Sequence, residues 1–214
     1  MDDILTVSGL KAYYRIGSGA KAREVRAVDD ITMSIGRNEI YGIAGESSSG
    51  KTSFIKVLAA AMRPPLRVVS GGATYHFRNG DIDVARATLR QVEAIRWKSL
   101  SYIMQGSMSV LNPLRRIGHI FEDFASRPLG LDRHAFQQRV AEHLERLQLS
   151  PTVLNAYPHE LSGGMRQRVT IGLATVCNPE FVIADEPTTA LDVVVQKDVL
   201  ALIKDLKRQM GSSI

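Results

Sequence analysis

Gly45-Glu46-Ser47-Ser48-Ser49-Gly50-Lys51-Thr52 is the stretch on which the reading of this 214-residue chain turns. Its spacing, G-x-x-x-x-G-K-[ST], is that of a loop whose backbone N–H groups cradle phosphate oxygens. The flanks suit that use. Glu39 to Ala44 is a short, mostly apolar run that predicts a buried parallel strand. Ser53 to Met62 carries Phe54, Ile55, Leu58, Ala59 and Met62 at helical spacing, and Arg63-Pro64-Pro65 ends the pattern. A loop between a strand end and a helix start offers both free N–H groups and the positive end of a helix dipole. Lys51 is then placed to reach the β- and γ-phosphates, and the Thr52 hydroxyl to ligate Mg²⁺.

Working outward, the length suits one domain with a sizeable core, with room for an inserted subdomain. Hydrophobic residues make up 44% and charged residues 23%, which is ordinary for a globular chain. Lysine and arginine number 27 against 22 acidic residues, a net charge of +5 that suits a solvated surface with a few phosphate-binding groups. A single cysteine, Cys177, excludes an internal disulfide and fits a reducing compartment. No apolar run is long enough to span a bilayer, and Met1-Asp2-Asp3 has no signal-peptide pattern.

Upstream of the loop, Ile4 to Tyr14 and Val28 to Ile35 read as strands, with Arg15 to Arg26 as an exposed connector and Gly36-Arg37-Asn38 as a turn. Tyr13 and Tyr14 end the first strand; each reads equally as a strand aromatic or as a platform for a nucleotide base. Downstream, Arg67 to Arg78 reads as a strand, Asp83 to Lys98 as a charged helix and Ser99 to Met104 as a short strand ending at Gln105. Arg133 to Leu149 is amphipathic through Phe136, Val140, Leu144 and Leu147. The stretch 86–157 is thus a mainly helical insertion in an α/β frame, with 1–85 before it and 158–214 after it.

Two further motifs share the chemistry of the loop. In Leu161-Ser162-Gly163-Gly164-Met165, Ser162 is an N-cap and the glycines admit close backbone approach, so a second anion site opens a helix. Phe181-Val182-Ile183-Ala184-Asp185-Glu186-Pro187 is an apolar strand ending in two carboxylates. Asp185 is a hard oxygen ligand for Mg²⁺, in company with Thr52, and Glu186, one residue on, can polarise a water. Thr188 to Asp192 then opens a helix whose inner face carries Val195, Val199, Leu202 and Leu206.

Gln105, Leu161 to Gly164, Asp185-Glu186 and Ala190-Leu191-Asp192, in that order after the phosphate loop, resemble the ATPase subunit of an ABC transporter along essentially the whole chain. The resemblance implies a P-loop α/β core, RecA-like, with an antiparallel β part and an inserted α-helical subdomain. It implies ATP and Mg²⁺ as cofactors, Tyr14 stacked on adenine, Gln105 sensing the γ-phosphate and reaching the metal, and Glu186 as the catalytic base. Ser162, Gly163 and Gly164 would complete the ATP site of an opposing subunit, and Asp192 would cross that interface. Expected partners are a second ATPase subunit, two membrane-spanning permease subunits and, indirectly, an extracytoplasmic solute-binding protein, at the cytoplasmic face of the membrane; no nucleic acid is expected.

Met108 to Pro113 and Tyr157 to Arg168 resemble the oligopeptide, dipeptide and nickel importer group, where Met165 also fits. Rival readings are an ABC ATPase without a transport role, such as an accessory ATPase of phosphonate breakdown or a DNA-associated ATPase, and a non-enzymatic scaffold. The presence of Lys51, Thr52, Asp185 and Glu186 together disfavours the scaffold. Three departures from the group pattern stand out. Ser48 occupies a position usually held by Gly, which predicts a strained φ > 0. Gly106-Ser107 replaces an acid-proline pair. The chain ends at Ile214, where the resemblance places a last strand and a switch histidine, so the expectation is a truncated domain.

Overall fold

The computed structural model describes residues 2–17, 22–106, 110–189 and 191–214. The chain forms two compact units, Met1–Arg96 with Ser213–Ile214, and Trp97–Ser212.

The first unit is built on a four-stranded antiparallel sheet, ordered β2-β1-β3-β4, from β1 (Asp3–Ile16), β2 (Arg23–Gly36), β3 (Leu66–Phe77) and β4 (Gly80–Asp83). β1 is central, and Leu5, Val7, Leu10 and Ala12 are fully buried. The buried side changes from odd to even positions at Gly9, where φ is 53° and the pairing steps from Val7–Met33 to Leu10–Ile31. An irregularity of this kind resets which residues face the core. β1 and β2 run further than the sequence predicts, so the connector expected over Arg15 to Arg26 shrinks to the stretch between Ile16 and Arg23; residues 18–21 of it lie outside the described residues.

Helix α1 (Lys51–Leu58) buries Phe54, Ile55, Val57 and Leu58. It ends four residues before the predicted Met62. Ala60 turns left-handed at φ 48°, and the Leu58 carbonyl accepts the hydroxyl of the fully buried Tyr75 at 3.1 Å. That hydrogen bond ties the sheet to the helix end, and burial raises the Tyr75 phenol above its ordinary pKa.

Two further expectations are corrected here. Asp83 to Lys98 is not one helix. Asp83 belongs to β4, its carboxylate accepting from the N–H groups of Ala73 and Ala85 at 3.1 and 3.0 Å, and the helix is only α2 (Leu89–Ile95). Thr88 starts it through a capping box with Gln91. Likewise Glu39 to Ala44 is not a buried strand. Ile40, Tyr41 and Ile43 are 46, 41 and 39% exposed. The backbone bonds of this stretch are Tyr41 N–H to Ile214 O and Ile214 N–H to Glu39 O, both 2.8 Å. That is the pattern of a parallel pair, but it spans too few residues to make a strand.

The second unit holds a parallel pair, β5 (Leu100–Ile103) and β6 (Phe181–Ala184), with helices α3 (Ile117–Leu129), α4 (Arg133–Arg146), α5 (Gly163–Thr175) and α6 (Val193–Met210). Phe121, Leu144, Leu147 and Ile171 are fully buried among the helices. Gly172 brings α5 close: a Cβ there would lie 2.6 Å from Leu147 Cδ1. Beside it, His143 of α4 is buried, with Nε2 2.9 Å from the hydroxyl of Thr175. Thr175 donates its own proton to Ile171 O at 2.7 Å, so His143 is the donor to Thr175 and carries its proton on Nε2. Arg139, one turn earlier, donates to Val176 O at the end of α5.

Burial first, then the positive charges of Arg139 and Arg146, push the His143 pKa down to about 4. In the unfolded chain a histidine titrates near ~6.5. As pH falls from that value towards 4 the unfolded chain therefore takes up a proton that the folded one refuses. Stability is full above the unfolded pKa and is lost on acidification, by on the order of 3 kcal/mol. His143→Leu should flatten that part of the pH dependence. Urea unfolding of both proteins at about pH 7 and about pH 4 checks it; equal losses between the two pH values would show that His143 is not the titrating group.

Candidate functional site

The phosphate loop follows from its glycine. Gly50 caps α1 in the left-handed region at φ 91°, and a Cβ on it would sit 2.1 Å from the Ala27 carbonyl oxygen of β2. No other residue fits that approach. Within the loop, Ser49 N–H bonds to Glu46 O at 3.3 Å and Ser48 has φ 66°. This is a turn with a left-handed third residue, the position where glycine is favoured. The strain expected at Ser48 is present. Lys51 folds over the loop, its ammonium donating to the carbonyls of Gly45 (2.7 Å) and Glu46 (2.5 Å) and to the Ser49 hydroxyl (3.2 Å). Gly45 to Ser49, Ser47 among them, are exposed, and Thr52 is half-buried in the first helical turn. The first N–H groups of α1 have no carbonyl of their own helix to bond. An exposed loop with a lysine at a helix start is the arrangement that favours anions.

The two tyrosines are separated by their partners. Tyr13 is buried, donates to Asp29 at 2.5 Å and lies under the Arg26 guanidinium. Tyr14 is half-buried, and its hydroxyl is 3.0 Å from the Ser53 hydroxyl in α1. Tyr14 thus hydrogen-bonds to the helix that the phosphate loop opens, and Tyr13 to β2.

In the second unit β6 carries the carboxylates out of the sheet. Asp185 N–H continues the ladder to Ile103 O at 2.9 Å, and the side chain is 3% exposed. Tyr102 of β5 donates to Asp185 Oδ2 at 3.2 Å, and burial, then the Asp185 charge, raise its phenol pKa. Glu186 turns out of the strand at φ 48°. The Gln105 amide donates to its Oε2 at 2.9 Å and the Thr189 hydroxyl to the same oxygen at 2.8 Å. Two residues singled out from sequence, Gln105 and Glu186, are thus in contact although 81 positions apart.

The helix starts match their sequence signals. Ser162 caps α5 by accepting Met165 N–H at 3.2 Å, and Asp192 caps α6 by accepting Val195 N–H at 3.0 Å. Gly163 has open space around its Cβ position, whereas a Cβ on Gly164 would meet Val195 of α6 at 3.2 Å. Gln167, 3% exposed on α5, donates to Pro187 O. Ser107, Met108, Ser109 and Ala190, all read from sequence as parts of motifs, lie outside the described residues. Tyr102, Gln167 and Thr189 were missed by sequence reasoning. Their hydrogen bonds serve the carboxylate turn, and only a glutamine or tyrosine within a motif-bearing segment hinted at them.

Among the described residues no three His, Cys, Asp or Glu side chains gather into a metal cluster. Thr52, Gln105 and Asp185 each carry an oxygen donor of the hard kind that Mg²⁺ takes.

The family described as ABC transporter matches residues 28–189. The dipeptide transport ATP-binding protein DppD of Caldanaerobacter subterraneus subsp. tengcongensis is 34% identical over 212 residues, covering 98% of this chain and 63% of that protein. The probable D,D-dipeptide transport ATP-binding protein DdpD of Escherichia coli is 38% identical over 198 residues, 89% of this chain and 58% of that one. The chain therefore spans about three-fifths of the length of these curated relatives. The dimeric ATP-binding cassette MJ0796, solved in a post-hydrolysis state with ADP and Pi, has the same fold at a TM-score of 0.78 and 23% identity. The match covers 98% of this chain and 85% of that one.

Ser48→Gly should stabilise the protein slightly, by a few tenths of a kcal/mol up to about 1 kcal/mol, because the left-handed position carries no Cβ penalty in glycine. The flexibility that glycine adds to the unfolded chain works against this gain. Thermal unfolding of parent and variant measures the balance; a loss of more than about 1 kcal/mol would mean that the Ser48 side chain holds the loop.

Proposed function

The chain belongs to the ABC transporter family, and from that membership we propose that it is the ATP-binding and ATP-hydrolysing subunit of an importer for peptides or related small solutes. The observation that carries the hydrolytic reading is the Glu186 carboxylate, presented at the end of β6 and held by the Gln105 amide at 2.9 Å. A general base must be exposed, ionised and oriented, and Glu186 is an exposed carboxylate with a fixed orientation.

The roles follow from the donors available. Lys51 sets a positive charge against the β- and γ-phosphates, with the N–H groups of the Gly45-to-Gly50 loop around them. Tyr14 supports the adenine ring. Thr52, Asp185 and Gln105 hold Mg²⁺, which when bound supplies Lewis-acid stabilisation of phosphate charge. Tyr102 keeps Asp185 oriented by donating to Oδ2. Glu186 accepts a proton from the attacking water. Ser162, Gly163 and Gly164 act on the nucleotide of a second ATPase subunit, and Asp192 lies at that interface. Two permease subunits dock near Gln105 to Pro113, on the cytoplasmic side of the membrane, and an extracytoplasmic solute-binding protein delivers the cargo to them. The division at residues 86 and 157 separates the helical subdomain from the core. The names of the relatives, which are dipeptide transport proteins, support peptides as cargo.

Lys51→Ala should weaken nucleotide affinity by a few kcal/mol, the scale of a charge-assisted phosphate contact, measured by calorimetry. An affinity within about threefold of the parent would sink the assignment. Glu186→Gln should retain ATP binding and slow hydrolysis by roughly 10²–10⁴-fold. Turnover equal to the parent would exclude Glu186 as the base. Recovery of the protein from membranes together with two permease subunits tests the transport role.

A further inference from the structure

Resting on that reading, we propose that Thr189 is a positioning residue for Glu186, and that it leaves Oε1 as the oxygen that takes the proton. The turn after β6 is the basis. Thr189 N–H bonds to Glu186 O at 3.2 Å, closing a four-residue turn, and the Thr189 hydroxyl folds back onto Glu186 Oε2 at 2.8 Å. The Gln105 amide donates to that same Oε2 at 2.9 Å. Among the described residues no hydrogen bond reaches Oε1. An oxygen that already accepts two hydrogen bonds has most of its lone-pair density engaged, so the other oxygen is the better proton acceptor.

The turn is held for this purpose at a cost. Glu186 sits at φ 48°, where a residue with a Cβ is disfavoured. The intervening Pro187 has its carbonyl bonded by Gln167, a buried side chain of α5. With the turn anchored from α5 and the carboxylate from Thr189 and Gln105, Glu186 loses its rotamer freedom before any substrate arrives, which is preorganisation of a base. In the step it serves, a water O–H bond breaks and the proton goes to Glu186 Oε1. The water oxygen bonds the terminal phosphorus of ATP. The bond from that phosphorus to the bridging oxygen breaks, its electron pair leaving on ADP.

The test uses the full-length protein in its complete assembly, with steady-state ATP hydrolysis and nucleotide affinity as readouts. Thr189→Val keeps the shape and removes the hydroxyl. It should lower kcat by roughly fivefold to tenfold while KM for ATP and nucleotide affinity stay within about twofold, since the lost contact acts on the base and not on binding. Thr189→Ser should restore kcat to within about twofold of the parent. In a Glu186→Gln background Thr189→Val should slow turnover by no more than about twofold further, because the two residues act as one unit. Parental kcat in Thr189→Val, an equal loss in Thr189→Ser, or a full additional loss in the Glu186→Gln background would each overturn the proposal. If Glu186→Gln is slow and Thr189→Val is not, only the role of Thr189 falls. If Glu186→Gln itself hydrolyses ATP like the parent, the assignment of the base falls and this proposal falls with it.

Discussion

The approach of Gly50 to the Ala27 carbonyl is the constraint on which the first unit depends. A Cβ at residue 50 would lie 2.1 Å from that oxygen, so the chain can pass only as glycine and only in the left-handed region. This contact fixes the start of α1 against β2, and with it the direction in which the first-turn N–H groups face. The other end of the same helix is fixed by Tyr75, whose hydroxyl takes the Leu58 carbonyl from within the sheet. A helix of 8 residues is marginal alone. Pinned at both ends to the antiparallel sheet, it becomes a rigid base for an exposed loop.

In the second unit the equivalent role falls to polar contacts around a single turn. Two adjacent carboxylates follow β6 into different surroundings because Asp185 continues the ladder by one residue and Glu186 leaves it in the left-handed region at φ 48°. Asp185 stays buried, with Tyr102 donating to it, while Glu186 is exposed and takes the amide of Gln105. Gln167 connects the turn to α5, the helix that Ser162 opens. The turn that carries Glu186 is thus anchored to α5 through a buried side chain.

Much of this was legible beforehand, and the particular successes and failures have causes. Ser162 was readable as a cap because a cap is a bond between residues three apart; Asp192, read only as the end of a stretch that opens a helix, caps α6 in the same way. Ser48 was readable as strained because the resemblance puts Gly at that position, and its φ is 66°. The apolar face of α4 appeared at its helical period and is buried as expected. The strand expected over Glu39 to Ala44 did not appear: composition proposes a strand, but a strand exists only where a neighbour supplies hydrogen bonds along its length. The helix expected from Asp83 failed because Asp83 is held in the sheet by two backbone N–H groups, one of them ten residues away.

By itself the amino-acid sequence determined the phosphate loop, the order of the motifs, the helix starts and the presence of a strand ending in two acids. Each is encoded in a few contiguous residues, where steric and capping rules act without regard to the rest of the chain. Only the tertiary structure decided which tyrosine meets α1, where β1 switches its buried face, and which donors hold each carboxylate. Tyr102 meets Asp185 across 83 positions and Gln105 meets Glu186 across 81. Such pairs depend on strand register, and a shift of one residue in β5 against β6 would turn Tyr102 away from Asp185.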